Sequence, residues 1–404
     1  MHEAAELQKE IDRFAELGGG SFSIAPGTYL LRDALHLRSG VHLTGEGQVT
    51  FLKKPSIQSR ITDFLGYGFY EFIVEEPDLF HVGMGVHLTD KKSMGFYDTV
   101  GTIVERQGKA FILNVPLNHD YLPYDGGLVT SIFPLIEGTE VRDASLKHVI
   151  LDGNIEETRI LNGCRGGGVF LIRSQKVLLE EIEIRHYQGD GISFQQCGDV
   201  TVQTCDVHDN RGSGLHPGSG SVYYQFVQNR VTQNGGCGLF YCLRTTHSLC
   251  ENNHFEGNAH TGISIGERDT DHHLKGNTII ASGHDGIGFR QPIAQGGDRV
   301  SIEANTLRGN GTDRASFEIL IPPHIHEVTL IQNSIEPVEG RAISIGAECH
   351  HILCAENQIA GRPQRDSDIE GFHSGIVTNM PASPPQYGID SFEPKSVRHI
   401  QVVF

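Results

Sequence analysis

The sequence returns to itself on a fixed beat. Glycines opening a Gly-(Ile/Leu) tetrad fall at Gly191, Gly214, Gly238, Gly262 and Gly286, at intervals of 23, 24, 24 and 24 residues. A second series, Asn229, Asn253, Asn277, Asn305, Asn333 and Asn357, steps by 24, 24, 28, 28 and 24. A unit of this length cannot bury an apolar face alone, so it must stack on its neighbours. The segments themselves, such as GISIG, VTVQT and RVSIEA, alternate apolar with polar at period two, which is the pattern of strands and not of helices. Short strands joined by Gly, Asn and Asp turns, one circuit per ~20 to 25 residues, describe a coil of a parallel β-helix. The repeated asparagine is expected to be a left-handed turn residue whose amide bonds the next coil's backbone.

The open end of such a stack exposes strand edges and needs a cover. HEAAELQKEIDRFAEL carries apolar residues at helical spacing and stops at Gly-Gly-Gly, which predicts a capping helix. The reading is therefore all-β: a right-handed parallel β-helix with an N-terminal capping helix and an inserted β-rich subdomain. Helix and first coils take 1–60, the insertion 61–138, the main coils 139–361 and an irregular tail 362–404. In the insertion, YEFIVEEPDLFHVGMGVHLTD and GTIVERQGKAFILNVPL read as antiparallel strand pairs, with Tyr67, Tyr70 and Phe96 expected to line part of a groove. The tail's RHIQVVF reads as a last strand.

Composition narrows the partners. The 404 residues carry 32 Lys and Arg against 50 Asp and Glu, a formal charge of −18, which argues against non-specific binding to nucleic acid or an anionic membrane. It also weighs against a polyanionic substrate unless basic residues gather in one place. No apolar run approaches the ~18 residues a membrane span needs, and the N-terminus shows neither the basic nor the apolar region of a signal peptide. The 8 cysteines form no Cys-x-x-Cys pair. Cys197, Cys205, Cys237, Cys242 and Cys250 lie inside repeat units and read as small buried side chains in a reducing compartment.

GGGSFSIAPGTYLL followed by coils such as GDGISFQQCGDVTVQTCDVHDN resembles the pectate-lyase-like superfamily of right-handed parallel β-helices. The resemblance spans roughly Gly18 to Gly361 apart from the insertion, and implies an enzyme acting on a polysaccharide or oligosaccharide. Matched to the polygalacturonase branch, QGDG places Asp190 on that branch's first catalytic aspartate. The later Gly-Asp-Asp and Gly-His-Gly are replaced here by RGSGLH and NGGCGLF, and the Asp-Pro-His of alginate epimerases is absent.

Alternation along the tetrads sends Ile192, Phe194, Ile263, Ile265, Ile287 and Phe289 inward and the residues between them outward. One outward column then reads Ser193, His216, Phe240, Ser264, Gly288, and Glu318 if FEIL is in register. The next reads Gln195, Gly218, Cys242, Gly266, Arg290. With coils ~4.8 Å apart, His216, Phe240, Tyr241, Arg244, Glu267, Arg268, Asp269, Arg290 and Glu318 span a strip of about five coils. Ser264, Gly266 and Gly288 leave room for a sugar ring at its centre.

Three arginines beside a histidine favour β-elimination from a uronic-acid-containing glycan. Arg244, Arg268 and Arg290 would neutralise the carboxylate, and His216 would carry the proton. An inverting hydrolase using Glu267 and Glu318 is the alternative, since those coils stand ~10 Å apart. A non-catalytic glycan-binding or structural β-helix is the third reading. No cofactor is expected. A calcium ion at Asp269 and Asp271 and a zinc ion around His260, His272, His273 and His284 are the metal sites weighed.

Overall fold

A computed structural model describes residues 2–93, 97–159, 163–291, 296–311, 315–337 and 341–378. Phe96 and residues 379–404, with the RHIQVVF segment, lie outside the described residues. Within 362–378, expected to be irregular, Ile369–Glu370 and Ile376–Thr378 pair in parallel with the strands of the preceding coil.

The tetrads form one face of a right-handed parallel solenoid. Its eleven strands run in order from Leu35–His36 through Ile136–Thr139, Val169–Ile172, Ile192–Gln195, Leu215–Gly218, Leu239–Phe240, Ile263–Ile265, Ile287–Phe289, Ile319–Ile321 and Ile343–Ile345 to Ile369–Glu370. Every pairing is parallel, with Ile192 opposite Leu215 and Ile263 opposite Ile287. We call this face the tetrad sheet. The remaining strands of each coil, such as Gly198–Gln203 and Asp206–His208, stack into the other walls.

The tetrad glycines lie one above the next, as the period requires. Ile192 N–H donates to Gly214, Leu215 to Gly238, Leu239 to Gly262 and Ile263 to Gly286, each to the backbone oxygen. Their dihedrals are ordinary, and the restriction is space. A Cβ on Gly214 would collide with Val231 of its own coil and press on the Gly238 oxygen.

The asparagines Asn229, Asn253, Asn277, Asn305, Asn333 and Asn357 form a buried ladder. From Asn253 onward each side-chain oxygen accepts two hydrogens from the rung below: Asn253 Oδ1 takes Asn229 N–H at 2.9 Å and Asn229 Nδ2–H at 2.9 Å. The spare amide hydrogen goes to a strand carbonyl, as Asn229 Nδ2 does to Val202. The left-handed residue is the one before each rung, Gln228, Asn252, Gly276, Ala304, Gln332 or Glu356, and not the asparagine. Only the buried position needs the amide, so the exposed left-handed corner accepts many residue types. A second ladder, Asn210, Asn234 and Asn258, runs at the next corner.

At the N-terminal end the helix Ala4–Glu16 buries Ala4, Leu7 and Ile11 against the first coils. The strands Gln58–Arg60, Glu71–Ile73, Gly85–Thr89, Thr99–Gln107, Ala110–Leu113 and Leu128–Ser131 form an antiparallel sheet with its own apolar core around Phe72, Phe80 and Phe111. Tyr67 and Tyr70 on this lobe are exposed. All eight cysteines are free thiols.

Candidate active site

His216 stands in the strand Leu215–Gly218 and points to the outer side of the tetrad sheet, where it is nevertheless 4% exposed. Its Nδ1 lies 2.5 Å from Asp190 Oδ2. Asp190 occupies the corner before Gly191, and its other oxygen accepts the Ser213 N–H at 2.7 Å. Asp285, at the equivalent corner, accepts Phe317 N–H in the same way. The corner role is therefore common to both aspartates, and Asp190 also holds His216. Gly163 and Gly212 make the pair possible, since a Cβ on either would strike the Asp190 carboxylate. Burial works to lower the His216 pKa, but the bonds from Asp190 and Cys242 prevail and raise it to about 9.

Two thiols complete the group. Cys164 Sγ lies 3.9 Å from His216 Nε2 and 4.0 Å from Cys242 Sγ. The bond from Cys242 lowers the Cys164 pKa and raises that of Cys242. The loop carrying Cys164 covers the sheet here: Ser193 Oγ donates to Gly163 O at 2.6 Å. Arg165, next along, donates to Asp98 O at 2.9 Å, tying this loop to the N-terminal lobe. Neither thiol was among the residues singled out from the sequence, where Cys242 read as core. Two signals were available. Cys242 sits in the outward column between Gly218 and Gly266, and Cys164 lies outside the regular coils.

Phe240 and His216 pack edge to face, with centroids 5.1 Å apart. Arg290 lies over the Phe240 ring, its guanidinium carbon 4.1 Å from the centroid. It donates to Ser264 Oγ at 2.7 Å and to Tyr241 O at 2.6 Å, and stands 3.7 Å from Asp269 Oδ2. The space that Gly266 was expected to leave for a sugar ring is filled by this side chain, because a Cβ there would strike the guanidinium. Arg290 is thus a fixed wall and not a free cation.

Three expected substrate contacts are corrected. Tyr241 points inward, fully buried, stacked on His272 at 4.1 Å with its hydroxyl 3.0 Å from Ser248 Oγ. Asp269 is fully buried, accepting Thr245 N–H and Oγ–H on one oxygen and Gly266 N–H on the other. Glu318 is out of register, because Gly288 pairs with Leu320. It replaces the next rung of the second ladder, accepting Asn310 N–H at 3.0 Å and Nδ2–H at 2.6 Å. Glu267 pairs with Arg268 at 2.9 Å. Arg244 lies one coil below that pair, its N–H bonded to Glu267 O, and is exposed without a side-chain partner among the described residues.

The residues weighed for a metal from the sequence do not converge on one point among the described residues. Asp269 faces in while Asp271 pairs with Arg299 at 2.7 Å. His272 is buried, with its pKa lowered to about 3 by burial, while His273 faces Glu303 at 3.2 Å. His260 and His284 stack at 5.4 Å.

Residues 134–253 and 240–379 match the model of the right handed beta helix region. No curated protein matches the sequence. Among solved structures, the A-module of the Azotobacter vinelandii mannuronan C-5 epimerase AlgE6 aligns with 95% of this chain and 96% of its own, at 15% identity and a TM-score of 0.58. The Dettilon tailspike protein aligns with 92% of this chain and 64% of its own, at 11% identity and a TM-score of 0.54. PfbA, a surface adhesin of Streptococcus pneumoniae, aligns with 89% of this chain and 85% of its own, at 13% identity and a TM-score of 0.50. At these identities the likeness shows the fold alone.

Proposed function

This chain belongs to the right-handed β-helix family, and on that scaffold we propose a carbohydrate-active enzyme whose polysaccharide or oligosaccharide substrate lies along the tetrad sheet. The observation that carries the reading is the group Asp190, His216, Cys164 and Cys242, gathered on the outer face of that sheet beside the ring of Phe240. A face that extends in steps of ~4.8 Å along one axis suits a chain molecule, and an aromatic ring beside reactive groups suits a sugar. A mannuronan C-5 epimerase module is built on the same fold; the substrate class proposed for this chain is a uronate polymer.

Within that class, β-elimination accounts for the residues better than hydrolysis. Hydrolysis needs two carboxyls facing one bond. Glu318 and Asp269, however, are interior residues whose oxygens are bonded within the fold. Elimination needs a cation for the uronate carboxylate and groups for the proton at C5 and the leaving oxygen. Arg244 and Arg268 are the exposed cations beside the face, and the buried group is assigned the proton chemistry.

The test is incubation with a panel of uronic-acid and neutral glycans. Elimination generates an enone absorbance, and hydrolysis generates reducing ends without it. Binding with neither product assigns a glycan-binding protein instead.

A further inference from the structure

We infer that Cys164, Cys242 and His216 form a binding site for a soft divalent metal ion, zinc being the natural occupant. Their ligand atoms all lie within 4.8 Å of one another. A tetrahedral zinc with Zn–S near 2.3 Å and Zn–N near 2.05 Å separates its ligands by about 3.5 to 3.8 Å. The separations of Cys164 Sγ from Cys242 Sγ and from His216 Nε2, 4.0 and 3.9 Å, contract to that by a few tenths of an ångström. Two thiolates and an imidazole are the donor set that selects zinc over calcium or magnesium.

Three further features fit a metal and are not needed by a plain core. Asp190 takes His216 Nδ1, which fixes the ring and directs Nε2 toward the thiols, the usual arrangement behind a metal-bound histidine. Cys164 and Cys242 are half-buried while the other six cysteines are buried, so the pair has access that a core thiol lacks. Gln195 is 3% exposed, and its Oε1 has no hydrogen-bond partner among the described residues. Its amide lies against Gly218, the residue bridged to Cys242. A buried amide oxygen left unpaired one strand position from the Cys242 bridge leaves a polar group on this face still to be satisfied. Three protein ligands leave a tetrahedral ion one position for water or for a sugar oxygen, as in catalytic zinc sites. With Nδ1 on Asp190 and Nε2 on the ion, His216 has no nitrogen free, so the proton chemistry assigned to this group would fall to the bound water.

The inference stands on this geometry and goes beyond the glycan reading, so its test contains no sugar. The full chain, reduced and freed of metal with a chelator, is titrated with cobalt(II). The expected result is one ion per chain, with thiolate-to-cobalt charge transfer in the near ultraviolet and the intense visible bands of a tetrahedral site, both lost on adding zinc. Cys164→Ser and Cys242→Ser each remove the charge-transfer intensity or weaken binding at least tenfold. Asp190→Asn weakens it about 10- to 100-fold, and Cys354→Ala, remote from the site, leaves it unchanged. Circular dichroism of each metal-free variant separates loss of the site from loss of the fold. Absence of charge transfer in the reduced chain, or its persistence in both serine variants, overturns the site. A chain that binds cobalt and alters no glycan refutes the glycan reading alone. One that cleaves glycan under chelation and shows no cobalt band refutes this inference alone.

Discussion

Gly266 matters through what its missing side chain admits. Arg290 fills that space, gripping Ser264 and the Tyr241 carbonyl while roofing Phe240. Gly266→Ala should expel the guanidinium while the neighbouring strands, whose pairing does not involve it, stay intact. The expected outcome is an unchanged far-ultraviolet spectrum, a newly accessible Phe240, and weakened glycan binding; unaltered affinity would remove Arg290 from the site. Asp190→Asn tests a different link. Asn keeps an acceptor for Ser213 N–H but loses the charge that orients His216, so turnover on the glycan found active should fall about 10- to 100-fold. His216→Ala should lower it further. Alternation along the strand was enough to place His216, Phe240 and Arg290 on one face. It was blind to where a long side chain ends, which is why Arg290 was read as free. It also missed Cys164, because that thiol arrives from a loop with no period.

Glu318 shows the same limit along the ladders. An asparagine rung offers one amide oxygen that takes both hydrogens of the rung below, as Asn253 does for Asn229. Glu318 does this with two oxygens, and burial raises its pKa to about 7 from 4.5. A folded pKa above the unfolded one gives stability that is present below about 4.5 and lost as pH rises through about 7. Glu318→Gln restores the amide and removes the titration. Wild type should therefore lose stability relative to Glu318→Gln as pH rises from 5 to 8, measured by urea unfolding; parallel profiles would show that Glu318 is not buried as described. Asn253→Ala should cost about 1 to 3 kcal/mol, by stranding a buried N–H and a carbonyl. The beat of 24 made both the solenoid and the rung positions legible. What it could not carry was the longer spacing before Phe317, which sets Leu320 and not Glu318 opposite Gly288 and takes Glu318 from the outer column to the inner corner.

Across the whole chain, the buried ionisable groups set the pH range of the fold. His272 is held neutral, its pKa lowered to about 3 from 6.5 by burial. Its contribution is therefore present above 6.5 and lost as pH falls through about 3. The opposite edge belongs to the thiols that line the coils. Burial raises Cys197, Cys205 and Cys354 from 9.0 to about 12 and Cys237 to about 11. Being raised, these contribute stability that is complete below 9 and lost progressively above it, because the unfolded chain ionises first. Lys53 works against that loss. It is buried against the Phe133 and Tyr187 rings with its ammonium bonded to Phe133 O, and burial lowers its pKa to about 7 from 10.5. A depressed lysine contributes stability present above 10.5 and lost as pH falls through about 7. Four thiols outnumber one amine, so the reduced chain should lose stability between pH 9 and 11. Urea unfolding under reducing conditions measures this, with two variants to apportion it. Cys205→Ala should shallow the alkaline fall, and Lys53→Met should steepen it while gaining stability near pH 6. A wild-type profile that stays flat from 9 to 11, unchanged by Cys205→Ala, would mean that the thiols meet water in the folded coil.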